Sequence, residues 1–407
     1  MRRVAITGVG LATPIGHDLA AVTEALQGDR HGVRVMHEWD RHPEMLTRLG
    51  APVDDLDLRR WPRKVTRTMG RVARLALHAS EAALQQSGLE EDALHGGRVG
   101  LAYGSTDGST SVWEKFALTL EQPNALLGLG SNAYLKFSTH TCAANLAVHF
   151  GIRGRVLSTC AACVSASQAI GFGYEQIKHG MQDAMICGGA EELHYISTGV
   201  FDVLQATSTR YNDRPDESPR PFDAERDGLV VGEGAGTLVL EEWERAVARG
   251  APILAELVGF GTSCDGTHIT APSAAGMETA MRLALEDAGL APGDLDYVNA
   301  HATATQVGDL GEARATWAVF RDAVPVSSTK GFTGHTLGAC GAIEAAFCLA
   351  MLREGFVAPN RNLRLVDPEC PPLPLVSGAC READLRQVMT NNFAFGGINT
   401  SIVLRRA

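Results

Sequence analysis

No run of about eighteen uninterrupted apolar residues occurs in the chain, so no helical membrane span is expected. Basic charge is in short supply. The 36 Lys and Arg stand against 47 Asp and Glu, and the net charge of −11 argues against a nucleic-acid partner. Nine cysteines in 407 residues are too few for a disulfide framework, and in the cytosol they stay reduced. No second C-x-x-C accompanies Cys160 and Cys163, which leaves a structural zinc site without its tightly spaced ligands. The N-terminus, MRRVAITGVGLATPIG, is basic and then apolar, as in a signal peptide. It has no clear small-residue cleavage site, and VAITGVG reads as a strand entering a Gly-rich turn. A cytoplasmic protein is expected.

What is present is enough apolar sequence, 45%, for two domains or one large duplicated one. The two halves follow one pattern. RVARLALHASEAALQQSGL is an amphipathic helix closed by Gly88, and RVGLAYGST is a strand into a turn. Later, GMETAMRLALEDAGL is a similar helix closed by Gly289, and LDYVNAHATAT is again a strand into a turn. Each half then has a helix that starts in small residues, CVSASQAIGFGYEQIKHG and GHTLGACGAIEAAFCLAMLREG. Each closes on a strand into Gly-Gly, AMICGGAEE and VMTNNFAFGG. Order and spacing match, so one strand–helix unit is duplicated, and the fold class is α/β with mostly buried sheets. The division is expected at residues 1–250 and 251–407. Between Thr209 and Gly228 lies a stretch dense in Pro, Asp and Arg, which reads as a long surface loop.

The stretch STCAACVSAS, Ser158 to Ser167, raises the chemical question. A thioredoxin-like redox pair would sit in a much shorter domain, with a bulkier turn between the cysteines. A single nucleophile at Cys163 suits the position better. It stands at the start of a helix, where free N–H groups and the helix dipole lower a thiol's pKa and can form an oxyanion hole. Cys160 is then a buried bystander. Simple packing of both thiols also fits the local sequence. Cys142, Cys187, Cys264, Cys340 and Cys348 lie among small and apolar residues and read as small buried hydrophobes.

A nucleophilic cysteine needs partners from elsewhere in the chain. His301 in YVNAHATATQVGD and His335 in SSTKGFTGHTLGACGAIEA both follow apolar strands, and Lys330 precedes His335 by five residues. Another Gly-rich turn, NNFAFGGIN, comes near the C-terminus. Loops at strand ends are where α/β proteins build sites.

With these four segments in this order, the chain resembles the β-ketoacyl-acyl carrier protein synthases of the thiolase-like superfamily. The likeness is to the elongating class that uses one Cys and two His, and it runs from RVAITGVG to NNFAFGGINTSIVL. It implies a five-layered αβαβα fold and decarboxylative Claisen condensation, without metal or organic cofactor. It implies that Cys163 carries the acyl group, that His301 and His335 act on a malonyl thioester, and that Lys330 biases their electrostatics. The amides of Cys163 and Phe395 would form the oxyanion hole, with Phe395 also a gate. Thr303 and Thr305 would bind the pantetheine arm, and Glu344 would stand behind the site. The partners implied are acyl- and malonyl-loaded acyl carrier protein, docked on Arg63, Lys64 and Arg67, and a second copy in a homodimer. A heterodimer with a chain-length factor is the variant. A non-condensing chain-length-factor subunit is one rival reading, but such subunits usually lack the nucleophilic cysteine. A C-x-x-C thiol-disulfide oxidoreductase is the other.

Some positions depart from the family pattern. Ala302 replaces a Gly in the H-G-T-x-T loop, so its backbone must avoid positive φ. Ala394 replaces another Gly just before Phe395. Asp107, Ser138 and Ser197 fall where the acyl tunnel is usually apolar. A polar-ended acyl group, such as an aryl-polyene chain with its phenolic hydroxyl, would explain Asp107. Pairing of Asp107 with an arginine elsewhere is the alternative.

Overall fold

The computed structural model describes all 407 residues. Strand Val4–Ala12 opens the first half and strand Ala255–Cys264 the second. Both carry Gly-x-Gly, and in both the missing side chains admit a helix. A Cβ on Gly8 or Gly10 would lie 2.1 or 1.9 Å from the carbonyl oxygen of Ala83 or Ala79. One on Gly259 or Gly261 would lie 2.3 or 2.1 Å from that of Ala284 or Ala280. The helices placed this way are Arg71–Ser87 and Ala274–Ala288, ended by left-handed Gly88 and Gly289 as expected.

Strand order repeats as well. The first half runs Val4–Ala12, Gly234–Glu242, Ala184–Glu191, Val99–Gly104, Val156–Thr159. The second runs Ala255–Cys264, Ile398–Arg405, Gln387–Phe393, Tyr297–Asn299, Val326–Ser327. Corresponding elements occupy corresponding places, so the duplication is structural as well as sequential. The halves join where Val4–Ile6 pairs antiparallel with Ala255–Leu257, giving one hydrogen-bonded array of ten strands.

Two helices lie between the half-sheets, Ser165–Lys178 and Cys340–Glu354, and each packs on strands of both halves. The second is buried from Cys340 to Leu352, as an all-round apolar helix must be. Helices Arg71–Ser87 and Ala274–Ala288 cover the outer faces. Three apolar cores result, one between the half-sheets and one under each outer layer, which is the expected αβαβα order. No helix is long and apolar enough to cross a membrane.

The stretch Thr209–Gly228 is a surface loop only in its first part, where Arg210, Asp213, Arg214 and Asp216 are exposed. Arg220, Phe222, Asp223 and Arg226 are buried within it. Buried charge survives only when its hydrogen bonds are met. Asp223 accepts from the amides of Glu225, Arg364 and Leu365, at 2.7 to 3.0 Å. Arg226 donates to Asp367 (2.5 Å) and to the carbonyls of Asp223, Thr305 and Gln306. Arg226, one of the charged residues that made the stretch look solvated, instead ties it to the loop that follows His301.

Candidate active site

Cys163 lies just past the C-terminal end of the strand Val156–Thr159, in a turn two residues before the helix Ser165–Lys178 begins. Ser165 Oγ holds the turn, accepting from the Ala161 amide (2.9 Å) and donating to the Ala162 carbonyl (2.7 Å). Ala162 takes a left-handed conformation there, φ 48°, which a non-glycine residue adopts at a cost. The result is a nearly buried thiol whose Sγ stands 2.9 Å from His335 Nε2. Burial pushes the Cys163 thiol up to about 12, against the opposing pull of Lys330. The sequence suggested a lowered value from the helix N-terminus. Desolvation outweighs the dipole, because the sulfur is nearly buried at the foot of its cavity.

His335 is fixed by its backbone. Its amide donates to the Val230 carbonyl (2.7 Å), and its carbonyl accepts from the Gly232 amide (2.9 Å). His301 follows the strand Tyr297–Asn299, and its ring stands perpendicular to that of His335 with centroids 5.1 Å apart. Burial first, and Lys330 second, hold both imidazoles well below the ordinary histidine range, so both are neutral at pH 7. Lys330 keeps its charge despite complete burial because Glu344 pairs with it, and Asn392 Nδ2 donates to the other Glu344 oxygen at 2.7 Å.

A cavity of about 350 Å³ reaches this triad from the surface. Cys163, His301 and His335 line its floor, and Thr303, Thr305 and Phe395 line its walls. The two threonine hydroxyls are 3.1 Å apart. Phe395 is partly exposed at the mouth, its ring 5.9 Å from that of Phe201. The amides of Cys163 and Phe395 donate to no backbone carbonyl. Ala302 avoids positive φ as its side chain requires, and the strained residue of that loop is Ala304, φ 70°.

A thiol, two neutral imidazoles and two amides without a carbonyl acceptor at the foot of an open cavity are an arrangement that can carry out acyl transfer. The beta-ketoacyl synthase N-terminal domain model matches residues 1–246, and the C-terminal domain model matches residues 254–364. The chain belongs to the β-ketoacyl synthase family. It is 37% identical to 3-oxoacyl-[acyl-carrier-protein] synthase 1 of Haemophilus influenzae, over 100% of this chain and 99% of that one. A β-ketoacyl synthase structure from Burkholderia phymatum superposes with TM-score 0.97 at 49% identity, covering all of both chains. A type II polyketide ketosynthase, solved with its acyl-carrier protein and bound to a hexaketide, has TM-score 0.90 at 29% identity, over 100% of this chain and 99% of that one. The synthase is thus an acyltransferase of the condensing class with the thiolase-like fold.

Other expected residues of the synthase lie outside the cavity. Asp107 is exposed, and its backbone amide donates to Glu191 Oε1 (3.2 Å). Ser197 Oγ is 3.1 Å from Thr110 Oγ1. No arginine pairs with Asp107. Desolvation by the groups packed against its carboxyl raises its pKa, opposed by nearby Ser197. The turn that carries Asp107 abuts the backbone of Phe137 and Ser138, because Gly108 leaves no side chain between them. Asp107, Ser138 and Ser197 therefore gather on one side, and none of them lines the cavity over Cys163. Arg63, Lys64 and Arg67 are all exposed, on and just past the short helix Arg63–Thr66. Two cysteines differ from expectation. Cys160, just past the edge strand Val156–Thr159, and Cys264 are exposed.

Sequence reasoning missed the carboxylates that shape the synthase's loops. Glu312 accepts from the amides of His301 (2.8 Å) and Ala302 (2.6 Å). Asp309 accepts from Ala304 (3.0 Å) and Phe222 (2.8 Å). Their i, i+3 spacing on the helix Gln306–Phe320, directly after the His301 loop, was the available signal. Glu191 takes the amides of Thr106 (2.7 Å), Asp107 (3.2 Å) and Gly338 (3.1 Å), joining a loop of the first half to one of the second. Only its place at the end of the strand Ala184–Glu191 hinted at this.

Proposed function

We propose that Cys163 accepts an acyl group from acyl carrier protein and that the same site condenses it with malonyl carrier protein, lengthening the chain by two carbons. The observation that carries the reading is the 2.9 Å contact of Cys163 Sγ with His335 Nε2, with His301 alongside at the foot of the cavity. In acyl transfer the thiol attacks the thioester carbonyl, and its proton leaves with the carrier's thiol by way of His335. The amides of Cys163 and Phe395 receive the oxyanion. In condensation the malonyl group loses CO2, and ring N–H donors of His301 and His335 hold the enolate oxygen. The enolate carbon attacks the acyl carbonyl, and Cys163 leaves as thiolate to be reprotonated from water. Neutral imidazoles suit this step, because each can donate a ring N–H to the charge that develops on the thioester oxygen, whereas a buried imidazolium is costly. Lys330, held by Glu344, keeps the rings neutral. Thr303 and Thr305 serve the pantetheine arm, and Phe395 gates the mouth.

Asp107, Ser197 and Ser138 lie beside the cavity over Cys163 and not in its lining. Asp107 is near enough, however, to act on the Cys163 thiol. An acyl chain that runs past the thiol toward them would carry a polar end, as in aryl-polyene or polyketide chains. Residues 1–250 and 251–407 form the two functional halves, the first bringing the thiol and the second both histidines. The carrier docks on Arg63, Lys64 and Arg67. A second copy covers the exposed Trp113, Leu118, Leu126, Leu127 and Tyr134 and the sheet-edge strand Val156–Thr159. The protein works in the cytoplasm. A chain-length-factor role is disfavoured because Cys163 is in working geometry. Redox pairing is disfavoured because Cys163 faces His335 while the exposed Cys160 contacts the Thr106 carbonyl. Intact mass spectrometry after incubation with a panel of acyl carrier proteins tests the reading. An acyl adduct on Cys163 is expected, with the favoured chain naming the substrate. No adduct from any loaded carrier would overturn it.

A further inference from the structure

Spacing along the chain argued against a zinc site, but spacing does not register ligands that come from three separate segments. The ligating atoms of Cys163, His301 and His335 all lie within 4.8 Å of one another, and all three residues are buried. One thiolate and two imidazoles are borderline-soft donors of the kind Zn2+ prefers. Metal–ligand distances of about 2.0–2.3 Å put tetrahedral ligands roughly 3.5 Å apart, so side-chain movements of about an ångström complete the set. The three residues line a cavity that leaves a fourth position for water. A second group, His301 with Cys340 and Glu344, shares one imidazole, but Glu344 is already engaged by Lys330 and Asn392.

We propose that Cys163, His301 and His335 form a reversible Zn2+ site whose fourth position opens into the cavity. The Cys163 S–H bond gives its proton to water, the sulfur bonds to the metal, and two ring nitrogens and the sulfur replace three of the ion's waters. No electron moves. Binding is chelator-reversible, because Nδ1 of both histidines lacks the hydrogen-bond partner that a tight site supplies, and because the Lys330 cation is close by. That zinc also stops condensation rests on the reading of Cys163 as the nucleophile.

The test uses the full-length enzyme with Co2+ and Zn2+ alone. Co2+ is expected to give a sulfur-to-cobalt charge-transfer band that Zn2+ displaces and EDTA abolishes. The band is expected to persist in Cys160→Ala and to vanish in Cys163→Ala and His335→Ala. On the unmodified enzyme, iodoacetamide alkylation of Cys163, followed by mass, is expected to slow about tenfold when free Zn2+ is ten times its dissociation constant. No band, a band that survives Cys163→Ala, or alkylation unaffected by Zn2+ would overturn the site. Band and protection with undiminished acyl transfer would uphold the site and overturn the nucleophile reading instead.

Discussion

Arg226→Met removes the buried cation that ties the 209–228 stretch to the loop after His301. The native guanidinium reaches Asp367 at 2.5 Å, the Asp223 carbonyl at 3.0 Å, the Gln306 carbonyl at 2.9 Å and the Thr305 carbonyl at 3.3 Å. Its Nε also stands 3.8 Å from the fully buried Asp309 carboxylate. Methionine fills much of the volume and satisfies none of these groups. Loss of one partner from a buried charge network costs about 3–5 kcal/mol. The pH dependence carries a sign. Burial raises Asp309 from 3.8 to about 6, against Arg226 and three backbone amides. The folded state therefore binds this proton more tightly than the unfolded state does. Its contribution, at most about 3 kcal/mol, is present below pH 3.8 and is lost as pH rises to about 6. Without the Arg226 cation Asp309 becomes a still weaker acid in the folded state. The variant therefore goes on losing stability above pH 6, by about 1.4 kcal/mol for each further tenfold weakening of that acid. Urea unfolding of both forms near pH 5 and near pH 8 measures this. The penalty should be larger at the higher pH. A penalty below about 1 kcal/mol, or one equal at both pH values, would refute the linkage between Arg226 and Asp309.

Cys163→Ala abolishes the acyl adduct seen by intact mass, whereas Cys160→Ala, at an exposed and unpaired position, leaves it in place; the reverse pattern would end the single-nucleophile reading. His301→Ala still accepts an acyl group on Cys163 but loses about 100-fold or more in malonyl decarboxylation, measured as CO2 release. His335→Ala shows the same loss and also slower acylation, since its Nε2 touches Sγ; unimpaired decarboxylation in both would remove the enolate role. Asp107→Gly erases a preference for polar-ended acyl carrier proteins of about 10- to 100-fold in kcat/KM, the worth of one hydrogen bond to a charged acceptor. A competition assay on both forms reads this out, and an unmodified enzyme that favours saturated chains would show that Asp107 does not meet the substrate.

Local sequence settled a great deal about this enzyme. Periodicity and caps placed the repeated helices, with Gly88 and Gly289 ending them in the left-handed conformation expected of a C-cap. Repetition of one strand–helix unit revealed the duplicated α/β architecture. Cys163, His301, His335 and Lys330 were legible because each sits in a short motif of small residues at a strand end. Such signals are local, and so they survive in a linear reading. What folding alone decided is long-range. Arg226 and Asp223 look solvated in a polar stretch, yet lie buried, because their partners come from residues 305–306 and 364–367. Glu312 and Asp309 were unremarked helix residues until the His301 loop closed over them. The Cys163 thiol was placed at a helix dipole by its sequence, but its pKa answers to burial, which is a property of the whole assembled site. Desolvation and cross-chain hydrogen bonds depend on which distant segments meet, and no window of sequence contains both partners.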